Sequence, residues 1–78
     1  MTEVLDRVVA VFRRHLSDDI GPDDNFFDMG GDSLLAEGVM IELAALLGRQ
    51  ELPLVLLLDY PTANELAEAL ADPQNAAI

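Results

Sequence analysis

Apolar residues recur through the first sixteen positions at three- and four-residue spacing. Leu5, Val8, Val9, Phe12 and Leu16 mark the stripe, and Val4 and Val11 widen it. That period predicts an amphipathic helix over residues 2–16. Thr2 suits its N-cap, Glu3 its positive end, and Arg13, Arg14 and His15 its negative end. His15 is the only histidine and reads as a solvated cation on the last turn. Residues 17–32 break the pattern. Ser17-Asp18-Asp19, Gly21-Pro22 and Asp23-Asp24 predict a long polar loop. A loop of that length in a small domain is usually functional. Ile20, Phe26 and Met29, with Phe27 beside them, are its expected anchors in the core.

A second helical period covers residues 33–47, with Ala36, Val39, Met40, Leu43 and Leu47 inward. Asp32 and Ser33 both suit its N-terminal boundary, and Gly48 suits a left-handed cap at its end. The opposite face, Leu34, Glu37, Gly38, Ile41 and Ala45, mixes small, apolar and acidic groups. A face meant only for water would carry more charge, so this one is predicted to meet a partner.

Residues 52–58, LPLVLLL, fit a buried strand or a helix by composition. No second strand is present to pair with, and a lone strand is unstable. Leu54–Leu58 is therefore predicted as a short helix entered through Pro53. It holds more leucines than one face can bury, which makes Val55, Leu56 and Leu58 candidates for exposure. Thr62 and Glu65 form a capping box for a last helix over 63–71, with Ala63, Leu66, Ala67 and Leu70 inward. Asp72-Pro73 ends it, and 73–78 is expected to fray. The sum is an all-α fold, a small antiparallel four-helix bundle of three longer helices and one short one, in a single domain over 1–78.

Composition sharpens this picture. Seventy-eight residues make one small domain, and a 51% hydrophobic content argues against disorder. With no cysteine there is no disulfide or thiolate metal site, which fits a reducing cytoplasm. Fifteen acids face four arginines and no lysine, for a net charge of −11. Such a chain repels nucleic acid and anionic membranes and attracts basic protein surfaces. No basic segment precedes an apolar stretch at the N-terminus, so no signal peptide is read. The run at 52–58 is far short of the about 20 residues that span a bilayer. A cytoplasmic monomer is expected.

Candidate chemistry centres on Asn25–Leu35, NFFDMGGDSLL. Gly31-Asp32-Ser33-Leu34 admits three readings. The first is the name motif of a family of serine esterases. That chemistry needs a histidine base downstream and a larger α/β domain, yet no histidine follows Ser33. The second is an ordinary helix start. The third is a modification site: the glycines leave the Ser33 hydroxyl uncrowded, and a helix start favours a phosphate there.

The run Asp24-Asn25-Phe26-Phe27-Asp28-Met29-Gly30-Gly31-Asp32-Ser33-Leu34 resembles the signature of carrier proteins. It is most similar to the peptidyl, or thiolation, carriers of nonribosomal peptide synthesis. Glu51-Leu52-Pro53-Leu54, Tyr60-Pro61-Thr62 and Glu65-Leu66-Ala67 match the same family in order and spacing, so that the similarity extends from about Val4 to Leu70. The resemblance implies that Ser33, flanked by Gly31, Asp32 and Leu34, carries a 4′-phosphopantetheine arm. A phosphopantetheinyl transferase would place it from coenzyme A, with Mg²⁺. It implies a non-catalytic carrier in natural-product biosynthesis that holds aminoacyl or peptidyl groups as thioesters. Its partners would be an adenylation enzyme and condensation or tailoring enzymes. They would meet Leu34, Glu37, Gly38, Ile41, Val55, Leu56 and Leu58.

Asp32 stands where many peptidyl carriers have histidine, and Met29 replaces the commoner leucine. Aspartate before the serine is usual in acyl carriers of fatty-acid and polyketide systems, which form the alternative reading. An unmodified helical interaction module is the third. The acidity and the initial Met suggest a free-standing carrier.

Overall fold

The predicted helices form. α1 covers Thr2–His15, α2 Ser33–Leu46, α3 Leu54–Asp59 and α4 Ala63–Ala71. The computed structural model describes residues 2–71, and among them there is no strand. The side chain of Thr2, the expected cap, is not described, and the expected fraying at 73–78 falls outside the described residues. α1 packs against α2 and α4, and α3 closes the space between those two. The stripe of α1 supplies Val8, Val11 and Phe12 to a core that also holds Val39, Leu43, Leu57, Leu66 and Leu70. Leu5, Val9, Leu16 and Leu47, expected inside, are only partly buried against it.

No polar or charged side chain is buried among the described residues. Polar groups instead finish the helix ends, where the last carbonyls lack partners within the helix. Arg7 donates to the Leu46 carbonyl at 3.0 Å, and Arg49 to the Leu70 carbonyl at 2.9 Å. Arg13 donates to the Ile20 carbonyl at 3.0 Å, holding the following loop to α1. Arg14 pairs with Glu42 on α2. All four arginines are thus engaged within the chain.

α2 stops one residue before the predicted limit because the chain reverses at Gly48, whose φ is 69°. Gly48 N–H donates to the Ala45 carbonyl at 3.3 Å and Arg49 N–H to the Ala44 carbonyl at 2.8 Å. These are the two bonds of a Schellman end. α3 runs through Asp59, one residue longer than predicted, and Pro53 is its N-cap rather than its first helical residue. At the start of α4, Glu65 N–H donates to Thr62 Oγ1 at 3.1 Å, as a capping box requires. The Glu65 carboxylate accepts from the Thr62 hydroxyl at 3.0 Å.

Two surface expectations need correction. Leu56 is only 5% exposed and belongs to the core. In a helix of six residues, Leu56 and Leu57 turn to the bundle while Val55 and Leu58, three apart, share the outer face. Gly38 is half-buried, not outward. It lies against α1, where a Cβ would come within 3.2 Å of His15 Cε1.

Candidate functional site

The loop between α1 and α2 is long but tied down. Ile20 and Phe26 are fully buried, and Phe27 and Met29 pack partly against the core, so the expected anchors are the actual ones. Asp24 accepts from Gly21 N–H at 2.7 Å. Asn25 Oδ1 accepts from Phe27 N–H at 2.9 Å and Asp28 N–H at 3.2 Å, which folds a turn around the side chain. Two backbone bonds reach across the bundle: Phe26 N–H to the Pro61 carbonyl at 2.8 Å, and Asn64 N–H to the Pro22 carbonyl at 3.0 Å.

Phe26 is the floor of the site. Its ring centroid lies 5.1 Å from that of Phe12 and 5.2 Å from that of Phe27, in tilted and edge-on arrangements. Gly31 rests directly on this ring, and its N–H donates to the Phe26 carbonyl at 3.1 Å. Gly30, with φ 99°, makes the turn that brings Gly31 down onto it. The two adjacent aromatics were legible as a motif, but the contact between Gly31 and Phe26 was not.

Asp32 then starts α2. Its backbone is extended and its carboxylate accepts from Leu35 N–H at 2.9 Å. Asp32 is therefore the N-cap, and Ser33 is the first helical residue. The sequence left this assignment open between them. Because Asp32 does the capping, the Ser33 hydroxyl is left exposed beside the free N–H groups of the first turn. That turn contains no acidic residue, and the helix behind it is fourteen residues long. A phosphodiester on Ser33 would meet a positive dipole end and open space, beside the Asp32 carboxylate that already takes up the Leu35 N–H. The residues present fit such a group.

An apolar face adjoins this point. Leu34 is 78% exposed and Ile41 65% on α2, and Val55 and Leu58 are about half exposed on α3. Glu37 stands exposed among them. On the far side, Glu42 ties α2 to α1 through Arg14 and through His15 Nε2, 2.9 Å away. His15 is therefore part-buried between helices and not the solvated cation expected. The hydrogen bonds from Arg14 and then His15 hold the Glu42 carboxyl below its ordinary value of 4.5. A cavity of about 600 Å³ opens between the C-terminal half of α2 and residues 49–54, a feature the sequence did not signal.

A short helical bundle that presents an uncovered serine on the first turn of one helix, next to an exposed apolar face, has the arrangement of a carrier domain. Residues 3–70 match the family model described as phosphopantetheine attachment site, and the chain belongs to that family. Its members hold a covalently attached 4′-phosphopantetheine group and are non-catalytic carriers. The chain is 40% identical to an indigoidine synthase of Streptomyces lavendulae over 70 residues, 88% of this chain and 5% of that protein. It is 39% identical over 72 residues to the PKS-NRPS hybrid synthetase acdB of Aspergillus candidus, 91% of this chain and 3% of that protein. It is also 32% identical over 77 residues to polyketide synthase PksN of Bacillus subtilis, 97% of this chain and 1% of that protein. The chain thus spans 5% or less of the length of these relatives. The resemblance to thiolation carriers is borne out at the level of the family and its synthetase relatives. Among the described residues, no helix is long and apolar enough to cross a membrane.

Proposed function

We propose that Ser33 is the attachment point of the phosphopantetheine arm and that the chain carries aminoacyl or peptidyl groups for nonribosomal peptide assembly. The observation that supports this most is the division of labour at the start of α2: Asp32 caps the helix and Ser33 is left free at its first turn. A phosphopantetheinyl transferase would join the Ser33 Oγ to the phosphorus of coenzyme A's pantetheine phosphate. The pyrophosphate bond breaks, adenosine 3′,5′-bisphosphate leaves, and the serine proton passes to the transferase or to water. When bound, the arm supplies a terminal thiol that holds the cargo as a thioester. The positive end of α2 then faces the phosphodiester. Gly30 and Gly31 keep the approach clear.

The partners in this reading are the transferase, an adenylation enzyme and condensation or tailoring enzymes. Leu34, Ile41, Val55 and Leu58 form the apolar part of their docking face, with Glu37 beside them. Basic partner surfaces suit a chain of net charge −11. Incubation with a promiscuous transferase and coenzyme A is expected to add one arm to the intact mass, and none to Ser33→Ala. A wild-type chain that gains no mass sinks the proposal.

A second reading, an acyl carrier of a polyketide system, draws on Asp32 and on the similarity to PksN. Loading separates the two: an adenylation enzyme with an amino acid for the first, an acyltransferase with a malonyl unit for the second. An unmodified interaction module is distinguished by partner binding that survives Ser33→Ala.

A further inference from the structure

α1 carries one apolar stripe, but α2 does not. Of the fourteen residues Ser33–Leu46, only Ser33, Glu37 and Glu42 are polar or charged. Ala36, Val39, Met40, Leu43 and Ala44 are buried, yet Leu34, Ile41, Ala45 and Leu46 are exposed. A helix with apolar residues on nearly every side has little in its pattern to fix which side turns inward. Something besides burial must set the rotation of α2 about its own axis.

Three polar side chains of α1 bond to α2 among the described residues. Arg7 holds the Leu46 carbonyl, a main-chain group directed along the axis, which marks no side of the helix. Arg14 meets Glu42 with a half-exposed guanidinium on a long, flexible stem, a kind of pair that contributes little. His15 differs from both. Its ring is part-buried, its Nε2 lies 2.9 Å from a Glu42 carboxylate oxygen, and it rests against Gly38. A Cβ on Gly38 would stand 3.2 Å from Cε1 and 3.4 Å from Nδ1 of that ring. Glycine is a poor helix former, and the room it leaves in the middle of α2 is taken by this imidazole. Gly38 and Glu42, four residues apart, share one side of the helix. The ring of His15 therefore engages that side alone.

We propose that His15 is a positioning residue that sets the rotation of α2, and with it the match between the two halves of the docking face. Leu34 and Ile41 belong to α2, Val55 and Leu58 to α3. A partner that touches all four needs both helices in register. With an outer radius of about 5–6 Å, a helix turned by about 20° moves its side chains by about 2 Å. Ser33 turns together with Leu34, so the loss falls on seating the carrier and not on transfer once it is seated. The inference rests on attachment at Ser33 for its enzymatic readout only.

The test compares the whole chain with His15→Ala, His15→Gln, Gly38→Ala and the double variant of His15→Ala and Gly38→Ala, at a temperature where circular dichroism shows all of them folded. A promiscuous phosphopantetheinyl transferase with coenzyme A is the probe. His15→Ala is expected to raise the KM for the carrier several-fold, with kcat near that of the parent. His15→Gln, whose amide donates to Glu42 from a similar point, is expected to restore most of it. Gly38→Ala is expected to raise KM while His15 is present and to add nothing once it is gone, because the Cβ then enters vacated space. Residual dipolar couplings of the bare chains read the rotation without the arm. Their periodic phase along α2, relative to α1 and α4, is expected to move in His15→Ala and to return in His15→Gln. An unchanged phase or a parental KM in His15→Ala overturns the proposal. So does a glutamine that restores neither, or a Gly38→Ala effect that is the same with and without His15. A parent chain that gains no arm mass overturns the attachment at Ser33 instead, and the phase then decides the rotation by itself.

Discussion

Gly31 and the ring of Phe26 occupy the same small space: a Cβ on Gly31 would lie 2.3 Å from Phe26 Cε1 and 2.7 Å from the Phe26 carbonyl oxygen. Phe26 cannot yield easily, because it is fully buried and packed against Phe12 and Phe27. The approach to Ser33 is therefore set by a contact that only glycine permits. Gly31→Ala is expected to destabilise the fold by about 1–3 kcal/mol through overpacking. It is also expected to slow arm transfer to Ser33. Denaturant midpoints and transfer rates check the two effects separately. An alanine variant as stable as the parent would mean that the ring shifts freely.

Asp32 makes the one side-chain cap of α2 seen at its start. Asp32→Ala removes it at a cost of about 1 kcal/mol. For a domain of this size the melting temperature falls by about 4–8 °C. Asp32→Asn keeps the oxygen acceptor and is expected to melt close to the parent. Calorimetry of the three proteins decides the matter. Equal losses in both variants would assign the role to charge instead of to the bond.

Leu56 and Ile41 make opposite demands. Leu56→Ala opens a cavity in the core and is expected to cost about 2–5 kcal/mol. Ile41→Ala, at 65% exposure, is expected to change stability by no more than about 0.5 kcal/mol. It is expected to slow loading by the partner enzyme. Unfolding curves and loading rates on the same two variants test the split. A strongly destabilised Ile41→Ala would place that residue in the core.

Glu42 gives a pH signature. Its carboxyl is held below 4.5 by the hydrogen bonds from Arg14 and His15. The folded value is depressed, so its contribution is complete above the unfolded value and is lost as pH falls through the folded one. The stability gap between the parent and Glu42→Gln is therefore expected to be widest near neutrality. It narrows below about pH 4.5. Denaturant midpoints over a pH series measure it, and a constant gap would remove the linkage.

The helices were legible because their apolar periods were. Val8 and Phe12, or Leu66 and Leu70, are spaced as a buried stripe requires, and capping residues marked the ends. The anchors of the loop were legible from a few large apolar side chains among acids. What escaped was decided between helices. Leu56 and Val55 look alike in LPLVLLL, and only the packing of α3 between α2 and α4 turns one in and the other out. Gly38 looked like part of an open face because nothing local shows that His15 crosses it. The motif around Ser33 pointed to the candidate site, but the choice of Asp32 over Ser33 as cap depends on backbone angles that the dipeptide alone does not reveal.

That choice has a consequence for how a carrier is read by its enzymes. If Ser33 held the helix end through its own oxygen, esterifying it would fray the first turn, and bare and armed forms would differ in shape. Because the neighbouring carboxylate performs that task, an arm placed on Ser33, as proposed above, is expected to leave the backbone of α2 as it was. An enzyme that grips this helix would then meet the same surface in either form. It must sense the arm itself, or what hangs from it, to know whether the delivery is worth accepting.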